Sequence, residues 1–170
     1  MKMEGPVPEK RFELFKGNEW TLPTDITLVL LADRVLKFKL EKEHKWSKED
    51  AEDFVDNAFH EALINAFAHG NLGIPGGTKN IYKVAFDKQR INPTDKKVHV
   101  SITEDDNNLS VTILDEGEGF DVEKVQDPTL PETKFREMGR GKVMMELSSD
   151  SVVYKDGGRK VILVKERKNK

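Results

Sequence analysis

The stretch Glu61-Ala62-Leu63-Ile64-Asn65-Ala66-Phe67-Ala68-His69-Gly70-Asn71 decides how this chain folds. Upstream of it, Ala51, Phe54, Val55, Ala58 and Ala62 recur at the i, i+3, i+4, i+7 spacing of an amphipathic helix, and Ala66 and Phe67 extend the stripe. Ser47-Lys48-Glu49-Asp50 supplies a capping box with Asp in place of Glu. The spacing predicts one helix from Ser47 to about Gly70, with Gly70 suited to a left-handed C-cap. Beside the apolar face, Glu61, Asn65 and His69 fall at i, i+4 and i+8 and so stack in one stripe. A carboxylate can take a proton from an attacking hydroxyl or water. A carboxamide oxygen one turn away can ligate a hard cation such as Mg²⁺. A solvated helix edge has the same pattern, so the rest of the chain has to discriminate.

Downstream, Val98, Val100 and Ile102 alternate, Asp105 to Asn108 turns, and Leu109, Val111 and Ile113 return, which predicts an antiparallel hairpin with one buried face. Val152-Val153-Tyr154, Asp156-Gly157-Gly158 and Val161-Ile162-Leu163-Val164 predict a second hairpin. Before the long helix, Arg11 to Trp20 reads as an edge strand. A helix capped by Thr24 or Asp25 then runs to about Leu40. Residues 72–96 receive no role, with at most a short helical turn between Ile81 and Ile91. Val143, Met144 and Leu147 predict a helix just after Gly141. Helices, hairpin, loop, helix, hairpin is the order of an α+β two-layer α/β sandwich. Residues 1–10 read as a flexible N-terminus, 11–166 as a single domain and 167–170 as a charged tail.

Two glycine-rich segments carry further chemistry. Asp115-Glu116-Gly117-Glu118-Gly119-Phe120 follows directly on a strand, and its glycines let a ligand approach the backbone. Asp115, at the strand end, is placed to accept from an exocyclic amine, whereas the two glutamates would repel phosphate. A plain strand-to-loop turn is the competing reading. Gly139-Arg140-Gly141-Lys142 opens a helix, where amides and two cations favour a polyphosphate, although a surface loop has the same composition. Neither segment has the GxxxxGK spacing of a Walker A loop.

Composition narrows the field. The chain has 28 Lys and Arg against 31 Asp and Glu, a formal charge of −3, which excludes a strongly basic nucleic-acid surface. With no cysteine, disulfides, thiolate-bound zinc, iron–sulfur clusters and a Cys nucleophile are all excluded. No apolar run approaches a membrane span, and the expected location is the cytoplasm.

Taken in order, the three motifs resemble the N, G1 and G2 boxes of the GHKL ATPases, whose Bergerat ATP-binding fold has a mixed or antiparallel sheet. The run Asp127-Pro128-Thr129-Leu130-Pro131-Glu132 and the stretch Leu22-Pro23-Thr24-Asp25 are most similar to the anti-sigma factor serine kinases of bacterial partner switching. The resemblance implies Glu61 as general base and Asn65 as the holder of Mg²⁺ against ATP. It implies that Asp115 meets the adenine amine, with His69, Gly117, Gly119 and Phe120 shaping the site and Gly139, Arg140, Gly141 and Lys142 at the phosphates. The implied partners are a STAS-domain anti-sigma factor antagonist and a sigma factor, with no direct nucleic acid, no membrane and a homodimer as one option. The alternatives are a non-catalytic nucleotide-binding regulatory module of the same fold, or a detached histidine kinase-like ATPase domain.

Overall fold

The computed structural model describes residues 9–123 and 141–167. The run Asp127 to Glu132, together with Gly139 and Arg140, lies outside them. The chain begins with a single turn, α1 (Glu9–Phe12), and a 3₁₀ turn (Glu13–Phe15). It continues through β1 (Glu19–Pro23) and α2 (Leu28–Lys42). A long helix, α3, follows as Lys48–Asp53, Phe54–Phe59, His60–Ile64 and Asn65–Asn71 without interruption. Then come α4 (Ile81–Ile91), β2 (Lys97–Glu104), β3 (Asn108–Asp115), the helical segment α5 (141–148), β4 (Ser151–Lys155) and β5 (Lys160–Glu166).

The strands form one sheet in the order β1-β2-β3-β5-β4, every pair antiparallel. Both predicted hairpins are present, with Val100 opposite Ile113 and Val152 opposite Leu163. Alternation sends Val98, Val100, Ile102, Leu109, Val111, Ile113 and Leu163 to one face, where the helices cover them and they are buried. The architecture is the expected α+β two-layer sandwich, with an antiparallel rather than a mixed sheet. Trp20 anchors the β1 end of the core, its ring edge-on to Phe15 at 5.0 Å and to Phe59 of α3 at 6.4 Å.

Several local expectations change. The edge strand does not cover Arg11 to Trp20: helical turns occupy Glu9–Phe15, and the strand runs over Glu19–Pro23 because Trp20 and Leu22 are the buried alternating pair. Neither Thr24 nor Asp25 is the N-cap of α2: the helix starts at Leu28 after Thr27, which makes no side-chain cap bond, while Asp25 Oδ1 accepts from the Thr27 amide at 3.0 Å in the preceding turn and Thr24 donates to the Lys96 carbonyl. Ser47 is the N-cap of α3, its Oγ accepting from the Asp50 amide at 3.1 Å and donating to Asp50 Oδ2 at 2.8 Å. Gly70 is not the left-handed cap. It stays within the helix, and Gly73, at φ +62°, makes the reversal. Ile81–Ile91 is a complete helix of 11 residues rather than a turn. On α5 the buried apolar side chain is Met145, whereas Val143 and Leu147 face outward.

Candidate functional site

Glu61 and Asn65 project together from α3, and Gly141 meets both. A Cβ added at Gly141 would lie 2.7 Å from Glu61 Oε2 and 3.7 Å from Asn65 Nδ2. The start of the second glycine-rich segment's helix therefore comes down onto the first motif, and a side chain at 141 would displace the Glu61 carboxylate. Both side chains are half-buried. From Asn65 onward the helix widens into i→i+5 turns, with the Leu72 amide donating to Phe67 O at 3.0 Å. Widened turns of this kind occur often at functional sites.

Nine residues further along α3, Gly70 reaches the end of β3. Nine residues of helix rise about 13 Å, so the stripe joins two separate ends of one site. At this second end Asp115 is 8% exposed, and its Oδ1 accepts from the Gly117 amide at 2.8 Å. Burial pushes the Asp115 carboxyl above its usual range, against the pull of the Gly117 amide, Arg159 and Lys96. A buried acceptor held against its solvation preference suits an amino-group donor. Gly117 backs onto Gly70, where an added Cβ would lie 2.5 Å from the Gly70 carbonyl carbon.

Asn71 locks this end. Its Nδ2 donates to Thr24 Oγ1 and to Lys97 O, both at 2.9 Å, and its Oδ1 accepts from the Glu116 amide at 2.8 Å. One buried carboxamide thus fixes the helix end to the residue after β1, to β2 and to the glycine loop. No separate sign of this role exists in the residue types, because an Asn following a helical Gly reads as an ordinary stop.

Other predicted residues are occupied elsewhere among the described residues. His69 Nδ1 is 2.6 Å from Ile74 O and closes the turn after α3. Phe120 donates its amide to Gly157 O at 2.8 Å and packs edge-on to Tyr154 at 5.4 Å, so it fastens the loop to the β4–β5 turn. Gly119, at φ +77°, lies against the Gly157 carbonyl. Lys142 pairs with Glu146 at 3.6 Å. Glu116 turns outward, accepting from the Lys97 amide at 2.7 Å and lying 3.1 Å from His99 Nε2.

A polar chain next to Glu61, buried at Asp33 and exposed at Tyr82, has no counterpart among the sequence motifs. Asp33 Oδ2 of α2 is 2.5 Å from His60 Nδ1, and His60 Nε2 is 2.8 Å from the Tyr82 hydroxyl of α4. Asp33 is 5% exposed. Burial raises the Asp33 carboxyl above its usual range. Burial alone would lower His60, but the bond to Asp33 and the charges of Asp33, Glu61 and Asp56 outweigh it and leave the imidazole raised. The signal available in sequence was Asp33 on an otherwise apolar helix face.

The donor set fits a nucleotide. A buried carboxylate stands at one end, and a carboxylate and carboxamide stand at the other against a glycine-rich segment. Among the described residues no three His, Asp or Glu side chains are grouped to hold a metal. A cation at Asn65 would therefore take its other ligands from phosphates and water, as Mg²⁺ commonly does. No helix of the described residues is long and apolar enough to cross a membrane. A family model described as histidine kinase-like ATPase domain matches residues 23–165. The chain belongs to that family, and ATP binding is its shared property. No curated protein matches the chain.

Proposed function

We propose that this histidine kinase-like ATPase domain is an ATP-dependent serine kinase that phosphorylates a STAS-domain anti-sigma factor antagonist and sequesters a sigma factor. The observation that carries the kinase reading is Glu61: an ionisable oxygen beside Gly141, one helical turn from Asn65. A module that only bound nucleotide would have no use for a base there. Bound ATP with Mg²⁺ supplies an electrophilic phosphoryl group and neutralises its charge. The chain's share is positioning. Glu61 Oε2 accepts the proton of the incoming serine hydroxyl, Asn65 holds the cation through its carboxamide oxygen, and Asp115 fixes the adenine amine. Gly117 and Gly141, by lacking side chains, leave room at the two ends. The sigma-factor and STAS assignments rest on the motif resemblance, in particular Asp127 to Glu132 and Leu22 to Asp25.

The test is phosphate transfer from γ-labelled ATP to recombinant STAS-domain proteins of the source genome, with Glu61→Gln and Asn65→Ala in parallel. Glu61→Gln is expected to keep ATP affinity and to lose transfer by at least about 100-fold. Asn65→Ala is expected to lose the Mg²⁺ dependence of ATP binding. Equal transfer by the wild type and Glu61→Gln would remove Glu61 from the base role.

A further inference from the structure

Helix α4 fully buries only Ala85. Its inward side is already anchored: Gln89 Oε1 accepts from the Ile26 amide at 2.8 Å, and Gln89 Nε2 donates to Asp25 at 3.0 Å. Its exposed residues are Ile91 at the C-terminal end and, on one side, Tyr82, Lys83, Phe86 and Arg90. The latter four stand at i, i+1, i+4 and i+8, a sector about 100° wide on an α-helix. Two aromatic rings, 36% and 41% exposed, therefore share one stripe with two cations. Scattered exposed apolar residues need no explanation. A stripe of Tyr, Phe and Arg has the composition of an interface centre.

Two further features say what fits it. Tyr82 is held by its hydroxyl on His60 Nε2, so its ring is pre-organised and loses little freedom on binding. Between residues 79 and 97 the chain carries six Lys and Arg against two Asp, within a molecule of net charge −3. The outer face of the first turns of α3 is by contrast acidic, with Glu49, Asp53 and Asp56 exposed. The local field at α4 selects an acidic surface.

We propose that the Tyr82–Lys83–Phe86–Arg90 stripe docks an acidic face of the protein phosphoacceptor. This inference rests on the kinase reading for the identity of the partner. His60, to which Tyr82 is bonded, immediately precedes Glu61 on α3, so a partner seated on α4 lies beside the base that must receive its serine. The stripe also gives residues 72–96 a function in substrate recognition.

Calorimetry and steady-state transfer with recombinant STAS-domain proteins of the source genome test the proposal, using the full chain, Phe86→Ala/Arg90→Glu and, separately, Lys83→Glu. The double variant is expected to weaken binding and raise KM by at least about tenfold, with ATP affinity and kcat at saturating partner unchanged. Binding by the wild type is expected to weaken as salt rises. Undiminished binding by both variants overturns the docking surface, as does failure of every STAS-domain protein to bind the wild type. Variants that lose affinity only for a single-stranded oligonucleotide overturn it as well. Binding that the variants lose, without transfer by the wild type, keeps the docking surface and refutes the kinase. Transfer that the variants do not alter does the reverse.

Discussion

The Cα of Gly70 lies against the carboxylate of Asp115: a methyl group there would sit 2.6 Å from Oδ2 and 2.7 Å from Oδ1. Neither Gly70 nor Gly117 has a positive φ. Both are glycine because the last turn of α3, the loop after β3 and a carboxylate share one van der Waals gap. The helix carrying Glu61 and the strand carrying Asp115 are thereby set at a fixed separation.

Gly70→Ala should break that setting. The added methyl must displace either the helix end or the carboxylate, and overpacking of this kind costs about 1–3 kcal/mol. The expected result is a lower Tm together with weaker ATP binding, measured by thermal unfolding and nucleotide titration. A variant with wild-type melting and affinity would mean that the gap relaxes freely.

Asp115→Asn separates stability from binding. Burial raises the Asp115 carboxyl, so the folded state holds its proton more tightly than the unfolded chain does. Any stability from this group is present below its ordinary value and is lost as pH rises through the folded one. At neutral pH the buried charge is a cost, and Asn removes it while keeping an acceptor for the Gly117 amide. The variant is expected to be as stable as the wild type or more so. Loss of a charged hydrogen-bond partner should lower ATP affinity roughly tenfold or more. Denaturant melts and calorimetry at pH 7 check both halves, and unchanged affinity would remove Asp115 from the adenine role.

Asn71→Ala should be among the most destabilising single changes at this end of the site. It strands the Glu116 amide and removes a donor from Lys97 O and Thr24 Oγ1. Unsatisfied buried groups cost about 1–3 kcal/mol each, so a loss near 3 kcal/mol is expected. Asn71→Asp keeps the acceptor for Glu116 but faces Lys97 O with an oxygen, and should recover little. Urea unfolding of both variants distinguishes this clamp from a surface cap, for which the loss would be closer to about 1 kcal/mol.

The sheet and the long helix were legible because each depends on periodicity that burial enforces. Val98 to Ile102 and Leu109 to Ile113 alternate with no exception, and Ala51 to Phe67 keep a helical stripe. The close approach at Gly70 was not legible: a glycine after His69 looks like a cap, and only the distance to Asp115 reveals a packing role. The i→i+5 turns in α3 leave no mark in residue types. Helix α4 is faint in the sequence because five exposed residues, two aromatics and Ile91 among them, blur the apolar stripe by which a helix is recognised. Asp33, His60 and Tyr82 come from three separate helices, so no local spacing could have joined them.

The Asp33–His60–Tyr82 chain is expected to make stability depend on pH. Asp33 and Tyr82 face His60 from α2 and α4, and the charges of Glu61 and Asp56 also favour its cation, while Lys37 acts on Asp33 and pairs with Asp56. With the folded imidazole raised above 6.5, its contribution is complete below that value and falls as pH rises through the folded one. Wild-type Tm should therefore decline from pH 6 to 9 more steeply than that of His60→Gln, in which this titration is gone. His60→Ala strands the carboxylate of Asp33 and should cost about 3 kcal/mol at pH 6, in line with removal of one partner of a buried pair. Melting curves at half-unit pH steps for the wild type, His60→Gln and Asp33→Asn read the slope directly. Parallel curves for all three would show that the Asp33–His60 pair carries no linked proton, and the imidazole would then have to be neutral in the fold, donating from Nδ1 to Asp33 and accepting at Nε2 from Tyr82.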